Sequence, residues 1–196
     1  MHIEWEKIWK SVHNPLARDE TKSKIWSQIH LFDYTTASYN KWLNKNDPCP
    51  LCNTHINDMF HIILHCPVTL QLWSEIEPFL KKITNVSVTE KEMAFGMEGN
   101  SPAVILRNWL TYVLRECILN QEKKAFHNKL GVGNTIHLQH TYNARVHREV
   151  SDAYIRLVHE KQVDQFYKRY NPNRILLIDP NGNVESENLV KIFNPS

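Results

Sequence analysis

Apolar residues recur along most of this chain at the spacing of a helix, not of a strand. Trp5, Ile8, Trp9 and Val12 stand at i, i+3, i+4 and i+7, the pattern of an amphipathic helix. Asn14-Pro15 should end it, because the residue before a proline is pushed out of the helical region. A second helix is expected from about Ala17 to His30, with Ile25, Trp26 and Ile29 buried, and a short third one from Thr36 to Leu43. After Cys66-Pro67 the period resumes. Leu70, Trp73, Ile76 and Leu80 would face a core, Pro67 suits a first turn, and Pro78 predicts a kink or a break. The β-branched, Asn-containing stretch Thr84 to Val88 reads as a linker and as the best boundary between domains.

Ser101-Pro102 opens a long helix, serine capping it and proline taking the first position. Its two adjacent stripes are Leu106, Leu110, Val113, Cys117 and Ile105, Trp109, Tyr112, so it should be buried on more than one side before ending near Gly131-Val132-Gly133. Asn134 or Thr135 would cap a last long helix to about Tyr170, with Val146, Val150, Ala153, Tyr154 and Leu157 on its apolar face. Beyond Asn171-Pro172-Asn173 the character changes. Two Ile/Leu-rich runs flank Pro180-Asn181-Gly182-Asn183, which is turn chemistry, and a small β-hairpin is expected.

Charge sharpens this picture only through its distribution. The net charge is +2, yet residues 101–175 hold 12 Lys/Arg against 6 Asp/Glu, while residues 1–100 hold 10 against 12. The basic excess sits on the late helices, where Arg145, Arg148 and Arg156 share a face, which makes a nucleic-acid partner thinkable. A solvated helix surface is the plainer alternative. No apolar run reaches the ~20 residues of a membrane span, and the start of the chain is charged too early for a signal peptide. An intracellular protein with reduced thiols and no membrane partner is expected, so four cysteines suggest a metal before a disulfide.

The chemistry is concentrated in eighteen positions. Cys49-Pro50-Leu51-Cys52 is followed by His61 and Cys66, giving C-x2-C-x8-H-x4-C. Three thiolates and one imidazole at this spacing describe a closed tetrahedral zinc site. A pair of ordinary core cysteines or a Cys49–Cys52 redox pair would leave the other two residues unexplained. His65 and His55 compete for the fourth place, but His65 adjoins Cys66 and His55 would shorten the loop after Cys52. The expected fold is therefore mainly α: a helical domain at 1–84 with a zinc knuckle at 48–67, long helices over 85–173, and a hairpin tail at 174–196.

Trp26, Ile29-His30, Trp42-Leu43, the Cys-Pro-Leu-Cys turn, Asp58, His61, Cys66-Pro67 and Trp73 together resemble the zinc-binding CCHC region that follows the reverse transcriptase of LINE-type (non-LTR) retrotransposons. The resemblance spans about residues 20–75. It implies a segment that contacts RNA or target DNA, single-stranded or structured, beside the remainder of a parent polyprotein, in a ribonucleoprotein of the nucleus and cytoplasm. The polymerase itself is absent, as is the Pro-Asp dipeptide of the endonuclease found downstream in some elements. No Gly-rich phosphate loop, H-E-x-x-H or nucleophile elbow occurs either, so no intrinsic catalysis is expected. The zinc site carries −1, hence side chains must meet phosphate: Lys41 and Lys45 with Trp42 as a stacking surface, and Arg145, Arg148 and Arg156, extended by Lys123 and Lys124. The competing expectation is a zinc-stabilised scaffold for protein contacts, without nucleic-acid binding.

Overall fold

A computed structural model describes residues 5–17, 19–29, 35–54, 58–128 and 135–172. The hairpin expected over 174–196, the Gly131–Gly133 helix end and His55 lie outside them. Among the described residues there are eight α-helices and one π-helical turn, and no strand. The helices are α1 (Trp5–Val12), α2 (Asp19–Ile29), α3 (Thr36–Leu43), α4 (Pro67–Thr84), α5 (Glu90–Phe95), α6 (Pro102–Asn128), α7 (Thr135–His159) and α8 (Val163–Tyr170), with the π-turn at His61–His65. None of them is long and apolar enough to cross a membrane.

The axis of the packing is α6. From Leu106 to Leu119 every side chain of this helix is buried, polar ones included. The two adjacent apolar stripes require this, since neighbours must cover both. The helix contacts α2, α3, α4, α7 and α8 and the π-turn, and one continuous apolar cluster runs from Ile8 to Tyr170. Arg107 is fully buried inside it and is matched group by group. Its guanidinium meets the Glu92 carboxylate with two bonds of 2.5 and 2.6 Å, and donates to the carbonyls of Leu80 and Val86 and to the Thr84 hydroxyl. A buried arginine is tolerable only when its donors are satisfied in this way. The latch fixes the end of α4 and the start of α5 onto α6. Met97, just beyond α5, is held by Asn108, which accepts from its N–H (2.6 Å) and donates to its carbonyl (2.8 Å). Between them Gly96 has φ +87°, and an added Cβ would meet the Tyr112 hydroxyl at 2.7 Å. That position has room for glycine alone.

Three sequence expectations are corrected. Pro78 does not break its helix: α4 runs from Pro67 through Thr84. The lost N–H and the clash with the preceding turn cost about 3 kcal/mol, but Trp73, Ile76, Phe79, Leu80 and Ile83 are buried on both sides of it and hold the helix together. The last helix is two helices, not one. Glu160 to Gln162 form a Schellman ending, with Lys161 left-handed at φ 57°, its N–H bonded to Val158 O (3.0 Å) and that of Gln162 to Leu157 O (2.7 Å). The chain turns there, and α8 buries Phe166 and Tyr170. Finally, Trp26 and Leu70, expected inside, are 47% and 42% exposed. Helix α5 lies just past the expected Thr84–Val88 linker and follows a Thr89 cap that accepts the Glu92 N–H at 3.2 Å.

Candidate metal centre

The segment that carries the cluster begins with a tight turn. Asn53 N–H donates to Cys49 O (2.7 Å), Cys49 N–H donates to Thr54 O (2.8 Å), and Asn53 is left-handed at φ 61°. This reversal brings the sulfurs of Cys49 and Cys52 to one side. Leu51, between them, is fully buried and anchors the turn in the core. Asp58 then accepts the His61 N–H at 2.6 Å, starting the next turn. Asp58 thus acts as a cap for the histidine that follows it.

The π-turn decides how His61 and Cys66 meet. Cys66 N–H donates to His61 O at 2.6 Å, an i to i+5 bond. In an α-helix a five-residue step overshoots a turn and points the two side chains apart. The wider π-turn closes after five residues, so both face the same point. The Trp73 indole N–H donates to Ile63 O at 3.0 Å and fastens the π-turn to α4.

The ligand atoms of Cys49, Cys52, His61 and Cys66 all lie within 4.8 Å of one another. A tetrahedral ion with metal–sulfur bonds of about 2.3 Å needs edges of about 3.8 Å, so the cluster fits with adjustments of about 1 Å. Cys52 Sγ already stands 3.3 Å from His61 Nε2. Cys49 and Cys66 are fully buried and His61 nearly so, while Cys52 is half-buried. The Thr54 hydroxyl lies 3.1 Å from Cys52 Sγ and 3.3 Å from His61 Nε2. Thr54 was not foreseeable from the sequence, since a threonine two residues after a cysteine carries no signal by itself. Its hydroxyl is placed to hydrogen-bond a ligand and tune it. His65 is exposed and belongs to no cluster among the described residues.

The thiols are also prepared electronically. The Cys49 thiol donates to the Cys66 sulfur and holds Cys66 below the ordinary thiol range against the penalty of burial, helped by backbone N–H groups at the first turn of α4. The same bond, together with burial, pushes Cys49 up. Metal ligation by thiols requires their deprotonated form, so a bound cation would displace the thiol protons. The fourth cysteine, Cys117, stands apart in α6, and burial raises its thiol to about 11.

The basic residues singled out from the sequence fall into three settings. Lys41, Trp42 and Lys45 are all exposed, Trp42 by 62%, on α3 and the residues just after it. Arg148 is exposed and Arg145 half-buried, and both line one groove between α6 and α7. Arg145 is tied to Glu116 (2.8 Å) and Glu149 (2.9 Å), so two carboxylates already balance its charge. Arg156 is exposed but lines a separate hollow that includes Glu149 and Asp152.

Fold and site together define a class: a mainly helical protein with a Cys3His cluster set at metal-binding distances. No family model, curated protein or solved structure matches the chain.

Proposed function

We propose that this protein is a zinc-stabilised accessory domain that binds RNA or DNA, of the kind its CCHC segment resembles beside the reverse transcriptase of LINE-type elements. The observation that carries the reading is the convergence of Cys49, Cys52, His61 and Cys66 at metal-binding distances, the first of them four residues along the chain from the exposed segment Lys41-Trp42 to Lys45. Soft thiolates with one imidazole select zinc over magnesium or calcium. A set of three thiolates and one imidazole leaves no ligand position for substrate, so the ion's role here is to hold the turn and the π-turn in place. Zinc with three thiolates bears −1 and repels phosphate, which leaves the flanking lysines and Arg148 of α7 to attract it.

Two measurements on the full chain test this. Elemental analysis should find one zinc per chain. Binding of a labelled single-stranded oligonucleotide should weaken steeply with salt, because each phosphate contact releases counterions. A chain without metal would overturn the zinc assignment. Nucleic-acid affinity absent or indifferent to salt would favour the protein-interaction scaffold instead.

A further inference from the structure

We infer that a single nucleic-acid strand follows one continuous track, from an aromatic platform on α3 into the basic groove between α6 and α7; the inference rests on the nucleic-acid-binding reading above. The platform is a chain of rings that joins α3 to the end of α6. Trp42 meets Tyr39 edge-on at 6.0 Å, Tyr39 stacks on Phe126 at 5.6 Å and 25°, and His127 stands across Phe126 at 5.4 Å. Such a cluster would ordinarily close into a core. Here Trp42 and His127 remain exposed, and Tyr39 and Phe126 only half-buried. Lys41 and Lys45 flank one end.

At the other end, Lys123 and Lys124 precede Phe126 and His127 by three residues each, which places them next to those rings on the α6 surface. Both lysines line a groove of about 550 Å³ with Cys117 and Asn120 of α6 and His140, Thr141, Ala144, Arg145 and Arg148 of α7. Among the described residues no carboxylate lines it. His140, Ala144 and Arg148 follow at i, i+4 and i+8, a row of about 12 Å along α7. That is longer than one phosphate group occupies, so the groove suits a polyanion. Arg145 forms a fixed wall, its guanidinium held by Glu116 and Glu149. Cations strung along a groove beside open aromatic faces are the two requirements of single-strand binding: phosphates follow the charge and bases stack on the rings. A duplex, whose bases are already stacked on one another, could use only the first.

The test is fluorescence anisotropy on the zinc-loaded full chain with labelled oligothymidylates of about 4 to about 16 nucleotides, and with a duplex of the longest length. Three variants are compared across a salt series: Trp42→Ala; Lys124→Glu with Arg148→Glu; and Lys168→Glu with Arg169→Glu, an equal charge change at exposed positions of α8. Zinc content and far-ultraviolet spectra verify folding in each. Trp42→Ala should weaken single-strand binding at least about 5-fold without altering the salt slope. The groove pair should weaken it more at low salt and shallow the log–log slope by about 1.4, the value for two single-strand phosphates. The α8 pair should do neither. If the parent chain binds but the platform and groove variants behave like the α8 control, the track is wrong and the nucleic-acid reading stands. Equal affinity for the duplex with no effect of Trp42→Ala likewise overturns the track. If the parent chain binds no oligonucleotide, both fall.

Discussion

His61 and Cys66 reach a common point because the five residues from His61 to His65 are wound as a π-turn, and Cys49 and Cys52 do so because Asn53 accepts a left-handed backbone. Each ligand is thus placed by a local backbone choice, and each should be individually necessary. Structural zinc contributes on the order of 10–16 kcal/mol of apparent binding free energy in finger-like peptides, comparable with the whole stability of a domain. Cys49→Ser, Cys66→Ser and His61→Ala should each lose the metal and the near-ultraviolet signal of the surrounding tryptophans. Cys117→Ser and His65→Ala should keep one zinc per chain. Retention of zinc in the Cys66 variant, read by elemental analysis, would show that the cluster is not the binding site. Cys117 should also resist alkylation at neutral pH, since burial keeps it a thiol at pH values well below about 11.

At the scale of the element, caps decide where helices stop. Asn44 and Asn85 take the left-handed position at the ends of α3 and α4, as short amide side chains do at modest cost. Lys161 holds the equivalent position after α7 with no such excuse. A lysine there keeps the strain that a glycine would avoid. Lys161→Gly should therefore stabilise the protein by about 1 kcal/mol, and Lys161→Val should destabilise it, both measurable by urea unfolding. Equal stability of the two variants would mean that α7 and α8 are joined in some other way. The end of α7 was missed in the sequence for the same reason. Its signal is normally Gly or Asn, and the Glu160-Lys161-Gln162 stretch continues a good helical composition.

The whole molecule is held by polar networks as well as by its core. Glu116 of α6 accepts from Lys24 of α2 at 2.6 Å and pairs with Arg145 of α7 at 2.8 Å, while Arg145 also reaches Glu149. Three helices meet at one carboxylate. Burial alone would raise Glu116, but the bonds from Arg145 and Lys24 outweigh it and hold the group below its ordinary 4.5. A depressed folded value means that the stabilisation is fully present above the unfolded pKa and is lost as pH falls through the folded one. Glu116→Gln should thus cost roughly 1–3 kcal/mol near neutral pH, and the gap to the parent chain should narrow as pH falls below the ordinary 4.5 and through the lowered folded value. Urea midpoints measured at both ends of that range give the answer. A gap that stays constant with pH would remove Glu116 from the ionic account of stability.

The sequence by itself determined what depends on near neighbours. The helical period placed α1, α3, α4 and α6 close to where they lie, and the spacing of three cysteines and a histidine marked the cluster before any coordinates. The tertiary structure alone decided what depends on distant partners. Trp26 and Leu70 share the helical period of buried neighbours, yet in the fold both stay largely exposed. Arg145 looked like one of three equivalent cations on a helix face. Its pairing with Glu116, 29 positions away, turns it inward, and Arg156 ends beside carboxylates in a different hollow. Trp42 and Phe126 are 84 positions apart, and only the packing of α3 on the end of α6, with Tyr39 between them, makes them one surface. Periodicity records which side of a helix prefers to be dry, but burial and charge pairing belong to two surfaces at once, and the second surface is set by the fold.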